Sequence, residues 1–252
     1  MKSIVLAAGR GSRLGDLTAS SPKTLTELSG KPLLQWQLDS LRAANVKNCC
    51  IVTGYCAAAL AAYGDSHIYN PEWDSTNIFG SLLCASERLS AETHIVSYGD
   101  IVYRTDIVRR LIACPADIAI TYDELWLDLW RKRFVEPLTD AECFMQEGGW
   151  LQKVGGHTTT LAEIQGQYMG LLKITPHGWQ QICDIVDAFV GDQRKNIDMT
   201  TLLSLLLSKG VKIAAVPVRG GWVEVDTPTD IMLYQKLAMT ENWLHDWRSF
   251  SS

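Results

Sequence analysis

No stretch of these 252 residues approaches the uninterrupted apolar length that crosses a bilayer. The N-terminal apolar run Ser3 to Ala8 is too short, and too soon interrupted by Arg10 and Arg13, for a secretory signal. A soluble, cytoplasmic protein without a membrane partner is expected. Basic residues are in deficit: 23 Lys and Arg stand against 28 Asp and Glu, a formal charge of −5. That balance argues against nucleic acid as a partner, because phosphate backbones are gripped by clustered cations in excess. An anionic ligand must instead be met by a few placed cations or by a metal ion. The seven cysteines form no C-x-x-C pair, so zinc and dithiol chemistry drop out and reduced, packed thiols are the default. His67, His94, His157, His177 and His245 are scattered without ligand or catalytic spacing, and no general base is apparent. No internal repeat, low-complexity tract or linker divides the chain.

What remains is a chain that is 47% hydrophobic and long enough to bury a large core. Short β-rich runs alternate with amphipathic stretches, the rhythm of parallel strands joined by crossover helices. The pattern predicts strands over Ser3–Ala8, Asn48–Thr53, His67–Tyr69, Thr93–Tyr98, Asp117–Thr121, Gln167–Ile174, Val211–Pro217 and Trp222–Val225. Helices are predicted over Leu33–Ala44, Ile78–Leu89, Thr105 (as N-cap) to Ile112, Pro176–Val190, Met199–Leu207 and from Pro228. After Tyr122 the rhythm changes to an acidic, aromatic and glycine-punctuated segment. The expectation is a single α/β domain over 1–252 with a lid-like insertion at 123–166 that covers one edge of the sheet and contributes to an acceptor site.

The most informative segment is Leu6-Ala7-Ala8-Gly9-Arg10-Gly11-Ser12-Arg13-Leu14, directly after the first strand. Small residues there let backbone N–H groups approach an anion, and Arg13 can bond its oxygens. It is neither of two common phosphate cradles: Leu14 stands where the dinucleotide fingerprint needs glycine, and the Gly-Lys-Ser/Thr of the P-loop is missing. Downstream lie Ser21-Pro22-Lys23-Thr24-Leu25 and Gly30-Lys31-Pro32-Leu33-Leu34. Asp100 and Asp226 each follow a predicted strand, at the carboxyl ends where open α/β sheets place ligands, and together suit one Mg²⁺.

The run from Leu6 to Leu34 resembles the signature of the sugar-phosphate nucleotidyltransferase superfamily. That resemblance implies a Rossmann-like, mixed but mostly parallel sheet flanked by helices. It implies that Ala8, Gly9, Gly11 and Ser12 with Arg13 hold a nucleoside triphosphate and that Lys23 neutralises the α-phosphate region. Gly99-Asp100 and Asp226 match the metal-binding positions of the superfamily, so Mg²⁺ is the expected cofactor. The segment Asn70 to Leu82 looks like the branch containing choline-phosphate and 2-aminoethylphosphonate cytidylyltransferases, with Asn77 and Ser81 matching its Asn and Ser. Capping of the next helix by Ser75 or Thr76 is compatible with base reading, and Tyr55 is a further candidate for the base pocket.

The resemblance therefore implies transfer of CMP from CTP to a small phosphorylated or phosphonate acceptor. Such an acceptor needs no base, since its second pKa near ~6 leaves it largely dianionic at neutral pH. For its pocket, Trp126, Trp130 and Arg133 fall on one face of a helix at i, i+4 and i+7. They offer an aromatic wall for an amine, with Asp123, Asp128, Asp140 and Glu142 as acidic neighbours and Arg133 to receive the phosphoryl group. Packing of the tryptophans onto the sheet is the competing explanation. Tyr168 and Trp222 are further acceptor candidates. A sugar-1-phosphate nucleotidyltransferase using UTP, GTP or dTTP and a non-catalytic nucleotide-binding regulatory domain are the rivals, and a homodimer is left open.

Overall fold

The computed structural model describes residues 1–189 and 191–248. In chain order the strands are β1 (Lys2–Ala7), β2 (Glu27–Leu28), β3 (Lys31–Pro32), β4 (Cys49–Thr53), β5 (Ser66–Tyr69), β6 (His94–Tyr98), β7 (Ile101–Tyr103), β8 (Ile118–Asp123), β9 (Glu142–Glu147), β10 (Trp150–His157), β11 (Gln167–Ile174), β12 (Ala214–Val218) and β13 (Trp222–Glu224). The helices are α1 (Leu33–Ala43), α2 (Ile78–Leu83), α3 (Ser86–Ala91), α4 (Thr105–Ala113), α5 (Trp126–Arg133), α6 (Pro176–Val186), the single turn α7 (Asp192–Lys195), α8 (Met199–Ser208) and α9 (Pro228–Leu237).

Nine strands form one sheet in the order β5-β4-β1-β6-β11-β8-β12-β10-β9. β5, β4, β1 and β6 run parallel, as do β8 and β12, while β11 runs antiparallel to both β6 and β8. This is the expected mixed, mostly parallel sheet. Strand alternation sends successive side chains to opposite faces, and β1 obeys it: Ile4 and Leu6 join one core cluster, Val5 and Ala7 the other. Both faces are covered, which is why β1 reads as a continuous apolar run. Among the described residues no helix is long and apolar enough to cross a membrane.

Four details differ from expectation. The stretch 78–89 is two helices broken at Cys84–Ala85, a turn that lets both Leu82 and Leu89 bury completely. Thr105 is the first helical residue and Arg104 the N-cap. Within 123–166, β9 and β10 form a hairpin that continues the sheet beyond β12, turning at the positive-φ pair Gly148 and Gly149 and burying Phe144, Leu151 and Val154 in the core. The helix from Pro176 ends at Val186, short of the expected end at Val190, a residue that lies outside the described residues.

Topology brings the strand ends together. β1 and β6 are parallel neighbours in register from Lys2↔His94 to Leu6↔Tyr98, so the loop after Ala7 and the Gly99-Asp100 turn emerge side by side. Gly99 permits this closeness, since a Cβ there would lie 2.7 Å from the Leu6 carbonyl oxygen. β13 pairs antiparallel with β7, Glu224 opposite Ile101, and the Val225 N–H donates to the Asp100 carbonyl at 2.9 Å. That ladder delivers Asp226 to Asp100 across more than a hundred residues of chain.

Candidate active site

The glycine loop ends in a tight turn, Ser12–Thr18, entered through Gly11 at φ 70°. Gly11 is needed twice over. Its φ lies in the left-handed region that side chains avoid, and a Cβ would stand 2.6 to 2.8 Å from the Lys23 side-chain carbons. Gly11→Ala is therefore expected to displace Lys23 and to cut turnover at least tenfold. Its stability loss should be about 1 to 2 kcal/mol from the backbone conformation. Steady-state kinetics beside thermal melts would check it, and unchanged turnover would show that the Lys23 stem has room to yield.

The loop forms one wall of a cavity of about 280 Å³. Ala8, Gly9, Gly11, Ser12, Arg13, Lys23, Asn77, Ser81, Gly99 and Asp100 all line it, as do Trp73, Thr76 and Ile78. Asn77 is the N-cap residue of α2 but makes no side-chain cap; its amide donates instead to the Asn196 carbonyl at 2.5 Å. Ser81 accepts a hydrogen bond from Asn70 at 3.1 Å. Tyr55 does not line the cavity. Its hydroxyl donates to the carbonyls of Thr18 and Ala19, and its ring rests against Trp73 at 5.2 Å. Tyr55 thus braces the turn, and Trp73, which the sequence reading did not single out, is the aromatic at the cavity wall. Gly54 lets Trp73 come this close, since a Cβ there would meet the Trp73 Cβ at 2.4 Å, a tertiary contact with no counterpart in the local sequence.

At the floor, Lys23 Nζ lies 2.9 Å from Asp100 Oδ2 and 2.8 Å from Asp226 Oδ1, and Arg13 Nη2 lies 2.7 Å from the same Asp226 oxygen. Arg13, Lys23, Asp100 and Asp226 therefore share one cleft. Burial pulls the Lys23 pKa down, but Asp100 and Asp226 outweigh it and the ammonium titrates above the usual lysine range. Burial likewise pushes Asp226 up, and Lys23, Arg13 and Arg133 overcome it and hold the carboxyl below the usual carboxylate range. Glu224 joins them unforeseen: desolvation first, and then the charge of Asp226, push its carboxyl up to about 8. Its signal was present as the period-two spacing to Asp226, which puts both on one side of an extended chain.

Asp100, Glu224 and Asp226 each offer one oxygen within 4.8 Å of the others. Asp100 Oδ1 is buried without a hydrogen-bond partner. An all-oxygen donor set with an orphaned carboxylate oxygen fits a hard divalent cation such as Mg²⁺.

Across these carboxylates lies a second cavity of about 370 Å³. Arg13, Glu224 and Asp226 face it, together with Tyr98, Tyr168, Asp140, Glu142, Asp198, Thr200 and Trp130. Glu142 titrates above the usual range, chiefly through desolvation, with Asp198 and Asp140 adding repulsion against a Thr200 hydrogen bond. Of the residues expected at an acceptor site, Tyr168, Trp130, Asp140 and Glu142 are there. Trp126, Asp128, Trp222 and Arg133 are not. Trp126 and Trp222 are buried, their indole N–H groups donating to the Ile164 carbonyl and to Asp123. Trp130 is itself 3% exposed and donates to Asp140. Asp128 sits on the surface, paired with Lys132 at 2.6 Å. The helical stripe at i and i+4 is core packing, the outcome most such stripes have. Arg133, expected to meet a phosphoryl group, has a side chain only 1% exposed and is bound to Asp226 and Asp230.

Known proteins resemble this chain in sequence and in fold. Residues 3–157 match the model of the MobA-like NTP transferase domain. The chain is 32% identical over 247 residues to the CTP:phosphoglutamine cytidylyltransferase of Campylobacter jejuni, covering 92% of this chain and 98% of that one. It is 31% identical over 128 residues to the CMP-5′-(3-aminopropyl)phosphonate synthase of Streptomyces rubellomurinus, covering 48% of this chain and 20% of that one. In fold it superposes on the inositol-1-phosphate CTP transferase of T. maritima with a TM-score of 0.72 at 17% identity, over 94% and 96% of the two chains.

Proposed function

Since the chain belongs to the MobA-like NTP transferase family and is a nucleotidyltransferase, we propose that it transfers CMP from CTP to a small, amine-bearing phosphorylated or phosphonate acceptor. The observation that carries this reading is the position of Arg13, Lys23, Asp100 and Asp226 on the boundary between two cavities, one beside the glycine loop and one walled by Tyr168 and Glu142.

In this reading the loop from Ala8 to Arg13 holds the triphosphate, and the base lies toward Trp73, Asn77 and Ser81. Phosphate oxygens compete with Asp226 for Lys23 and Arg13, so both cations meet the negative charge that builds at the α-phosphorus. The acceptor's phosphate or phosphonate oxygen forms the new bond to that phosphorus while the bond to the β-phosphate bridging oxygen breaks, and pyrophosphate leaves with the electron pair. No proton has to be removed from a dianionic oxygen, which suits a site without a placed histidine. Mg²⁺ held by Asp100 and Asp226, with Glu224 beside them, would supply further charge neutralisation on the triphosphate.

Two features support an amine on the acceptor. Asp140, Glu142 and Asp198 face the second cavity, where an N–H-bearing cation would find acceptors and relieve their mutual repulsion. The acceptors in the names of two of the relatives, phosphoglutamine and aminopropylphosphonate, carry such a group, whereas the acceptor of the choline-phosphate cytidylyltransferases of Streptococcus pneumoniae and Haemophilus influenzae does not. The test is a matrix of CTP, UTP, GTP and dTTP against phosphoethanolamine, aminoalkylphosphonates, glutamine phosphate, phosphocholine and glucose 1-phosphate, with Mg²⁺ and a pyrophosphate readout. CTP with an amine-bearing acceptor should give the highest kcat/KM. Preference for UTP or dTTP with glucose 1-phosphate would replace this reading with the sugar-nucleotide one.

A further inference from the structure

Resting on the metal site of the proposed reaction, we infer that Arg133 and Asp230 are a positioning pair that fixes which oxygen of Asp226 faces the metal and the triphosphate.

Arg133 is the last residue of α5, the helix inside the insertion, and Asp230 lies in the first turn of α9. Their meeting is purely tertiary. Arg133 Nε donates to Asp230 Oδ1 at 3.1 Å, and Nη2 donates to Asp226 Oδ2 at 3.2 Å. Nη1 lies 3.6 Å from Glu224 Oε2. The guanidinium plane is held by the rings of Trp130 and Phe134, whose centroids lie 5.1 and 4.9 Å away. Asp230 secures the backbone of the same residue: its Oδ2 accepts from the N–H groups of Asp226 at 2.9 Å and Thr227 at 2.8 Å.

Asp226 is thereby gripped at its amide and at one carboxylate oxygen. The other oxygen, Oδ1, is the one that meets Lys23 and Arg13. The two oxygens of this carboxylate thus have different duties, Oδ2 anchoring and Oδ1 facing the cleft. A guanidinium fork can span two carboxylates in one plane, which a point-charge ammonium cannot. Burying an arginine costs several kcal/mol of desolvation, and an apolar side chain would fill the space more cheaply. The return is orientation: groups that hold a metal ligand in place change metal affinity about 10- to 100-fold when removed.

The test uses Arg133→Lys and Asp230→Asn in the full chain. Asparagine can still accept from the Asp226 and Thr227 amides through its oxygen, but its NH₂ then opposes the Arg133 Nε donor, so the helix cap survives while the pair loses its charge and keeps only the long Nη2 contact of 3.4 Å to that oxygen. Mn²⁺ is the probe, its binding followed by electron paramagnetic resonance with CTP present, alongside thermal melts and steady-state kinetics. Both variants should melt as cooperative, folded proteins and bind Mn²⁺ about tenfold or more weakly. Turnover at a fixed low Mg²⁺ concentration should fall and be recovered in part by raising it. A merely structural pair would lower the melting temperature and leave Mn²⁺ affinity in the folded protein untouched; affinities within twofold of wild type would overturn the inference. If Arg133→Lys does not fold, Asp230→Asn decides alone. If the wild-type chain with CTP binds no Mn²⁺, the metal site of the proposed reaction fails and this inference with it.

Discussion

Lys23→Met should lower turnover about 1,000-fold, the size seen when a placed donor to developing negative charge is removed, and should also destabilise the protein in the presence of EDTA. The kinetic loss follows from position. Lys23 lines the cavity beside the glycine loop and reaches the floor where Asp100 and Asp226 meet, so its loss leaves Arg13, whose side chain is 65% exposed, as the remaining cation at that floor on the same wall. The stability loss is what the sequence does not suggest, since a lysine in a loop reads as a residue the core can spare. Here it is 9% exposed and bonded to two carboxylates. Removing one member of such a group leaves the others uncompensated, which costs about 3 kcal/mol or more. For a chain of this length that corresponds to a fall in Tm of roughly 6 to 12 °C. Mg²⁺ with CTP should restore part of it, because a ligand that binds only the folded state stabilises it by mass action. Calorimetry in EDTA and in Mg²⁺ with CTP, beside pyrophosphate release, separates the two effects. Turnover within tenfold of wild type would count heavily against the catalytic assignment.

Asp226→Asn should cost a comparable factor, about 1,000-fold in turnover, for a different reason that a binding experiment exposes. Asp226 Oδ1 is shared by Lys23 and Arg13, and its carboxyl is held ionised by those cations and by Arg133. An asparagine releases both cations and removes a negative charge from the floor. CTP measured by calorimetry without metal should therefore bind the variant at least as tightly as wild type. With Mg²⁺ the order should reverse, since only the wild-type carboxylate can hold the ion. A residue that touched phosphate alone would show no such inversion. Equal gains from Mg²⁺ in the two proteins would remove Asp226 from the metal site.

The chain by itself determined the parts that depend on neighbours in sequence. The apolar run of β1, the glycines that follow it, Lys23 and the strand-end aspartates were legible because a strand, a tight turn and a carboxylate at a strand's end are local arrangements with local residue requirements. The structure gathers Arg13, Lys23, Asp100 and Asp226 into one cleft. Glu224 was within reach of the same reasoning, through its alternation with Asp226.

Tertiary structure decided what each amphipathic or charged side chain faces. Trp126 and Trp130 at helical spacing make the same pattern whether the stripe meets a ligand or a core, and only the packing of α5 against α9 and the 137–139 turn, with Trp130 against Trp222, buries them. Arg133 is identical in sequence whether it waits for a phosphate or clamps Asp226, and the choice was made by α9 bringing Asp230 to it. The hairpin of β9 and β10 extended the sheet because its apolar side chains found the core already exposed beyond β12. Periodicity fixes which residues share a face; what that face meets depends on contacts between segments far apart in the chain, and those are settled only when the whole chain competes for the same buried space.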